Sequence, residues 1–194
     1  MRYTIFAVLL ACVCALCGSL VARAEGPGAA PETTTTSTTT QDDAGAEADP
    51  KPTHAEVQRA IDKYRHATWH WQRVMGEPVT LTLHHSPTDP LERIATWKRI
   101  AASTLRLAQH PPHARAWECI HHYEGAWTDA YAPYYGGLQM DLGFQRTYGR
   151  QLLATKGTAD HWTPLEQMWV AERAHRAGRG FYPWPNTARY CGLI

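Results

Sequence analysis

Between Glu25 and Pro52 the chain contains no aromatic residue at all, so that stretch has nothing with which to build a core. Beyond residue 24 no apolar run approaches the roughly 18 to 20 residues a membrane span needs, which argues against a multi-span membrane protein. Runs of Lys and Arg are missing too. From Thr53 to Ile194 there are sixteen Lys+Arg against twelve Asp+Glu, a surplus of only +4. That is too small and too scattered for a nucleic-acid surface. Cysteine is scarce: of five, three (Cys12, Cys14, Cys17) lie in the first 24 residues, leaving Cys119 and Cys191.

What is present divides the chain into parts. Arg2 gives a positive start, Thr4 to Val21 is apolar, and Ala22-Arg23-Ala24 offers the small-x-small pattern that a signal peptidase reads. The expectation is a signal peptide, residues 1–24, cut after Ala24. An uncleaved anchor and lipidation at Leu9-Leu10-Ala11-Cys12 are the alternatives. Residues 25–52 read as a Thr-rich disordered linker, with seven Thr and one Ser from Thr33 to Thr40 and six acids against one Lys. All eight Trp and all eleven His lie from Thr53 onward, which leaves one domain's worth of foldable chain. In an oxidising compartment the remaining even pair of cysteines suggests one disulfide. It would close a loop of about 72 residues and contribute roughly 4 kcal/mol on a chain-entropy reading.

Helix signals recur through this part. Thr53-x-x-Glu56 is a capping box, and Val57, Ile61, Tyr64, Thr68, Trp71 and Met75 follow at helical spacing until Gly76. Val79 to Leu83 alternates like a short strand. Asp89-Pro90-Leu91-Glu92 opens a second helix with a predicted buried stripe of Ile94, Trp97, Ala101, Leu105 and Ala108. A third helix is predicted over about His113–Glu124, ended by Gly125. Tyr134-Tyr135-Gly136-Gly137-Leu138-Gln139-Met140 reads as a tight hairpin. Thr163-Pro164-Leu165-Glu166 opens a fourth helix ending at Gly178, and the proline-rich tail from Phe181 to Pro185 reads as non-helical. His66/His70, His84-His85 and His121-His122 have no third and fourth ligand at a supporting spacing, so they read as surface or capping residues.

Among the carboxylates, Glu56, Glu92 and Glu166 occupy capping positions and Glu118 should face solvent. Glu124 differs. It shares a face with Trp117, because seven residues turn through about 700°. It also ends a helix between Tyr123 and Trp127. Burial and the negative helix end should both favour its protonated form, the state a general acid needs. An exposed helix-end Glu is the bland alternative. Asp141 is the one obvious second carboxylate for glycoside chemistry, or else a hairpin-end residue bonding its own backbone. The aromatics Trp127, Tyr134, Tyr135, Trp162 and Trp184 suit sugar stacking as well as a small core.

Cys119-Ile120-x-x-x-Glu124-Gly125-x-Trp127, then Tyr134-Tyr135-Gly136-Gly137-Leu138-Gln139-Met140-Asp141, Glu166-Gln167-x-x-x-Ala171-Glu172, Trp184-Pro185 and Cys191 together resemble the resuscitation-promoting-factor family. The resemblance covers about 80 residues, from Pro111 to Cys191. It implies a lysozyme-like, mainly helical α+β domain at 111–194 with one small β-hairpin; the extra helical region that precedes it at 53–110 has no counterpart in the minimal family domain, and its role is unread. The resemblance implies a secreted, wall-located glycosidase or lytic transglycosylase that cuts the MurNAc-β-1,4-GlcNAc bond of peptidoglycan strands. Other wall hydrolases would be partners, and no nucleic acid, metal or other cofactor is implied. On this resemblance Glu124 is the catalytic acid, and Asp141 matches an acidic position of some members. Trp127, Tyr134, Tyr135, Gly137, Gln139, Gln167 and Trp184 would contact substrate, and Cys119 and Cys191 would form the disulfide. Two departures stand out: Cys119 lies five residues before Glu124 rather than beside it, and Glu124-Gly125-Ala126-Trp127 is shorter than the family string. Glu118, next to Cys119, is therefore the rival acid. A non-catalytic glycan-binding or signalling module is the alternative function.

Overall fold

The computed structural model describes residues 51–194, which belong to the unit Asp49–Ile194. The expected signal peptide and nearly all of the linker lie outside the described residues. Seven helices and one two-stranded antiparallel hairpin make up the unit, a mainly helical α+β arrangement.

Helix α1 (His54–Met75) begins at the predicted capping box: the Thr53 side chain accepts from Glu56 N–H, and the Glu56 carboxylate accepts from Thr53 N–H. It stops at Gly76. Val57, Ile61, Thr68 and Met75 of its predicted stripe are buried. Helix α2 (Pro90–Ala108) is capped by Asp89, whose carboxylate accepts from Glu92 N–H at 2.7 Å. Its inner face is Trp97, Thr104 and Ala108, so the expected stripe holds at Trp97 and Ala108, but Thr104 rather than the exposed Leu105 turns inward between them. The predicted strand at 79–83 is absent. Thr80 has both backbone groups taken by side chains of α1: its N–H donates to Gln72 Oε1 at 3.0 Å, and its carbonyl accepts from Trp69 Nε1 at 2.6 Å. That leaves nothing there for a ladder.

The α1–α2 pair closes over a small cluster of Val57, Ile61 and Trp97. Its far end belongs to the main core. Val74, Met75 and Ala108 pack with Trp117 and Ile120 of α3 (Ala114–Glu124), with Leu138 and Met140 of the hairpin, and with Trp169 and Val170 of α6 (Pro164–Ala174). The Ala108 carbonyl, left over at the end of α2, accepts from the Trp169 indole at 2.7 Å. Residues 53–110 are thus joined to the rest by a shared core rather than set apart from it.

Strands β1 (Tyr134–Tyr135) and β2 (Met140–Asp141) pair with Tyr134 opposite Asp141 and Tyr135 opposite Met140. Two short helices follow, α4 (Leu142–Tyr148) and α5 (Arg150–Lys156), where no element was predicted. Thr163 and Glu166 form the predicted capping box of α6. A π-turn over His175–Arg179 ends that helix. The tail is only partly as expected: Phe181 to Trp184 is turn, but Pro185 opens α7 (Pro185–Tyr190). Proline is well suited to the first helical position, where its missing N–H costs nothing. The Cys119–Cys191 disulfide ties α3 to the end of α7.

Candidate functional site

The hairpin turn is built by two glycines for different reasons. Gly136 has φ 74, and a side chain there would run into Gln167. At Gly137 an added Cβ would lie 2.5 Å from His121 Nδ1 and 2.7 Å from the Trp127 ring. The turn is therefore pressed against α3 and the loop after it. Gln139 follows at φ 47, and among the described residues it is the single non-glycine with positive φ. That conformation costs roughly 1–2 kcal/mol. Its side chain is fixed by donation to Asp129 Oδ2 at 2.9 Å and to the Gly136 carbonyl at 3.0 Å.

In front of the hairpin lies a cleft of about 300 Å³, walled by Tyr134, Gln139, Met140, Asp141, Gly143, Phe144, Thr147, Tyr148, Arg179, Pro183 and Trp184. Glu124 is not among the lining residues; it is half-buried at the end of α3. Two links join Glu124 to the cleft. The Thr187 hydroxyl donates to Glu124 Oε1 at 2.8 Å, three residues after the cleft residue Trp184. Gly125 abuts Gln139, whose Nε2 would sit 3.3 Å from a Cβ at that glycine. Glu118, the rival acid, is exposed on the other side of α3.

Of the residues expected at the site, Tyr134, Gln139, Asp141 and Trp184 line the cleft, and Tyr134 is half exposed. Trp184 is nearly buried, with its indole donating to the Leu138 carbonyl at 2.6 Å, so it offers the cleft an edge while bracing the hairpin. Asp141 serves as N-cap of α4 and accepts from Phe144 N–H at 2.6 Å. That is the backbone role weighed against its catalytic one.

The others are placed elsewhere. Trp127 stacks on His121 with ring centroids 3.9 Å apart, behind the turn. Tyr135 packs on the core, and Gly137 and Trp162 are buried. Gln167 is fully buried and cannot meet a substrate from there; its Nε2 donates to the carbonyls of Trp127, Ala159 and Trp162 at 2.8–3.0 Å. It ties α6 to the loop after α3 and to the turn that leads into α6. Sequence reasoning missed Asp129, which fixes Gln139, and Phe144, Thr147, Tyr148 and Arg179, which complete the cleft. Phe144, Thr147 and Tyr148 recur at the three- and four-residue steps of a helix face, the one available signal.

Away from the cleft two buried carboxylates anchor the helices. Glu166 accepts from Lys156 Nζ at 2.7 and 2.8 Å, from Thr163 N–H at 2.8 Å, and lies 3.0 Å from His70 Nε2. Burial opposes its ionisation, but the bonds from His70, Lys156 and Thr163 outweigh that and hold its pKa at about 2. Glu172 meets His113, Trp117 and, nearby, His175. Burial lowers the pKa of His175, the neighbouring His113 adds to this, and Glu172 opposes it.

Comparison with protein-family models, with curated proteins and with solved structures found no match for the chain.

Proposed function

We propose that the protein is an exported peptidoglycan-cleaving glycosidase, of the resuscitation-promoting-factor kind that its motifs resemble, with Glu124 as general acid. The observation that carries the reading is the setting of Glu124. It is a half-buried carboxylate at a helix end, held by Thr187 and followed by Gly125, which abuts Gln139 of the cleft wall. A fixed acid beside a groove with aromatic and amide groups is the arrangement that glycosidic cleavage uses. Glu124 would donate its proton to the leaving oxygen, and a sugar hydroxyl or water would then capture the oxocarbenium-like centre with Glu124 as base.

The capping bond on Asp141 favours a single-acid course, since that carboxylate is already engaged by Phe144 N–H. An anhydro-sugar product is therefore the favoured outcome over hydrolysis. Export fits the Cys119–Cys191 bridge, which suits an oxidising compartment. Among the described residues no helix is long and apolar enough to cross a membrane.

The test is muropeptide release from purified cell walls by the wild type and by Glu124→Gln, with mass analysis of the ends. Anhydro and reducing ends differ by one water. Equal release by the two proteins removes Glu124 from the chemistry. Wall binding without release by the wild type points to a binding module instead.

A further inference from the structure

On the side of α3 away from its Glu124 end, three side chains with metal-binding chemistry converge: His113 ahead of α3, Glu172 in α6 and His175 in the π-turn after it. One donor atom from each lies within 4.8 Å of the others. We propose that His113, Glu172 and His175 form a binding site for a borderline divalent transition-metal ion of the Zn²⁺ type.

The donor set decides the class of ion. Two imidazoles and one carboxylate suit Zn²⁺ and its neighbours, whereas Mg²⁺ and Ca²⁺ ask for oxygen ligands. Three protein ligands leave a fourth tetrahedral position for water.

The carboxylate is already oriented. Glu172 Oε1 accepts from His113 N–H at 2.7 Å and from the Trp117 indole at 2.8 Å. These donors take one oxygen and hold the group in place, leaving Oε2 with only the His113 ring, Nδ1 at 3.1 Å. Such outer bonds are what orient a ligating carboxylate. A tetrahedral ion about 2.0 Å from each donor sets donors about 3.3 Å apart, so the His113–Glu172 pair needs hardly any adjustment. The widest separation in the set, within 4.8 Å, would then close by up to about 1.5 Å on binding.

The surroundings agree. Among the described residues no Lys or Arg is bonded to Glu172, which is fully buried. Its neighbours are two imidazole rings with centroids 4.2 Å apart, an arrangement that a second positive ring would disfavour but a shared cation accommodates. Phe181 and Trp117 wall the rings on one side. The His113 side chain is 39% exposed, which opens a path from solvent. Glu172 and His175 are spaced three apart at a π-turn, a local irregularity often found at functional positions. An ion there would tie the start of α3 to the end of α6.

The experiment uses the full chain, freed of metal with a chelator and titrated with Zn²⁺ against a chromogenic zinc indicator. One Zn²⁺ per chain should bind, with affinity falling by more than about tenfold in His175→Ala and in His113→Ala. The control His84→Ala/His85→Ala, which changes an exposed doublet, should bind as the wild type does. In the wild type Zn²⁺ should shift the ring NMR signals of His113 and His175 and raise the melting temperature. Absence of binding, binding that survives both histidine variants, or unshifted His113 and His175 signals would each overturn the proposal. None of these readouts depends on glycan cleavage.

Discussion

Replacing Glu166 with Gln tests whether a buried ion cluster holds α1, α5 and α6 together. Glu166 is 1% exposed and bonded to Lys156, Thr163 N–H and His70. Its pKa falls from 4.5 to about 2 on folding. At about 1.4 kcal/mol per tenfold, the ionised side chain contributes about 3 kcal/mol to stability near neutral pH. The sign follows from a depressed folded-state pKa. The contribution is complete above about 4.5 and is lost as pH falls through about 2. Urea unfolding followed by tryptophan fluorescence should therefore show Glu166→Gln about 3 kcal/mol less stable than the wild type at neutral pH. The gap should shrink below about 1 kcal/mol near pH 2, where the native carboxyl is itself half protonated. A gap of constant size across that range would refute the linkage, and a variant as stable as the wild type at neutral pH would refute the cluster's role.

Other consequences can be checked in the same way. Thr187→Val removes the donor to Glu124. Because a hydrogen bond contributes about 1 kcal/mol, glycan release should drop roughly fivefold with the fold intact, and an unchanged rate would discount Thr187 as a positioning residue. Asp141→Asn keeps an oxygen for Phe144 N–H and should leave both stability and release near wild type, while Asp141→Ala should cost about 1 kcal/mol in denaturant unfolding. Loss of release in the Asn variant would restore Asp141 as a second catalytic carboxylate. Opening the Cys119–Cys191 bridge frees a 72-residue loop. Replacing both cysteines with Ala should lower unfolding free energy by about 4 kcal/mol on the chain-entropy account, and a change near zero would contradict it.

The helices with strong end signals were legible in the chain. Thr53/Glu56 and Thr163/Glu166 form the boxes their spacing predicts, because that pattern satisfies its own backbone within four residues. The Tyr134–Met140 hairpin was legible for a similar local reason, the paired glycines. What failed depends on distant partners. Thr80 looked like part of a strand until Gln72 and Trp69 took its backbone groups. Gln167 looked like a substrate contact, yet its position under Gly136 places it in the interior. Trp127 looked like a stacking platform for sugar, but His121 occupies its face. Asp129 and Arg179 carry no local signature, and only the folding of loops beside the hairpin brings Asp129 against Gln139 and Arg179 to the cleft. The meeting of His113 with Glu172, 59 residues later, was likewise beyond any spacing rule.

Arg173 and Arg176 reach from the end of α6 to the last carbonyls of α1, those of Arg73 and Met75. Together with Val74 and Met75 in the common interior, this means a shortened version starting at Pro111 would shed the lid over its own hydrophobic floor. Anyone grafting the cleft into a chimaeric enzyme should carry the leading helical hairpin along, or plan replacements for the greasy surface its removal lays bare.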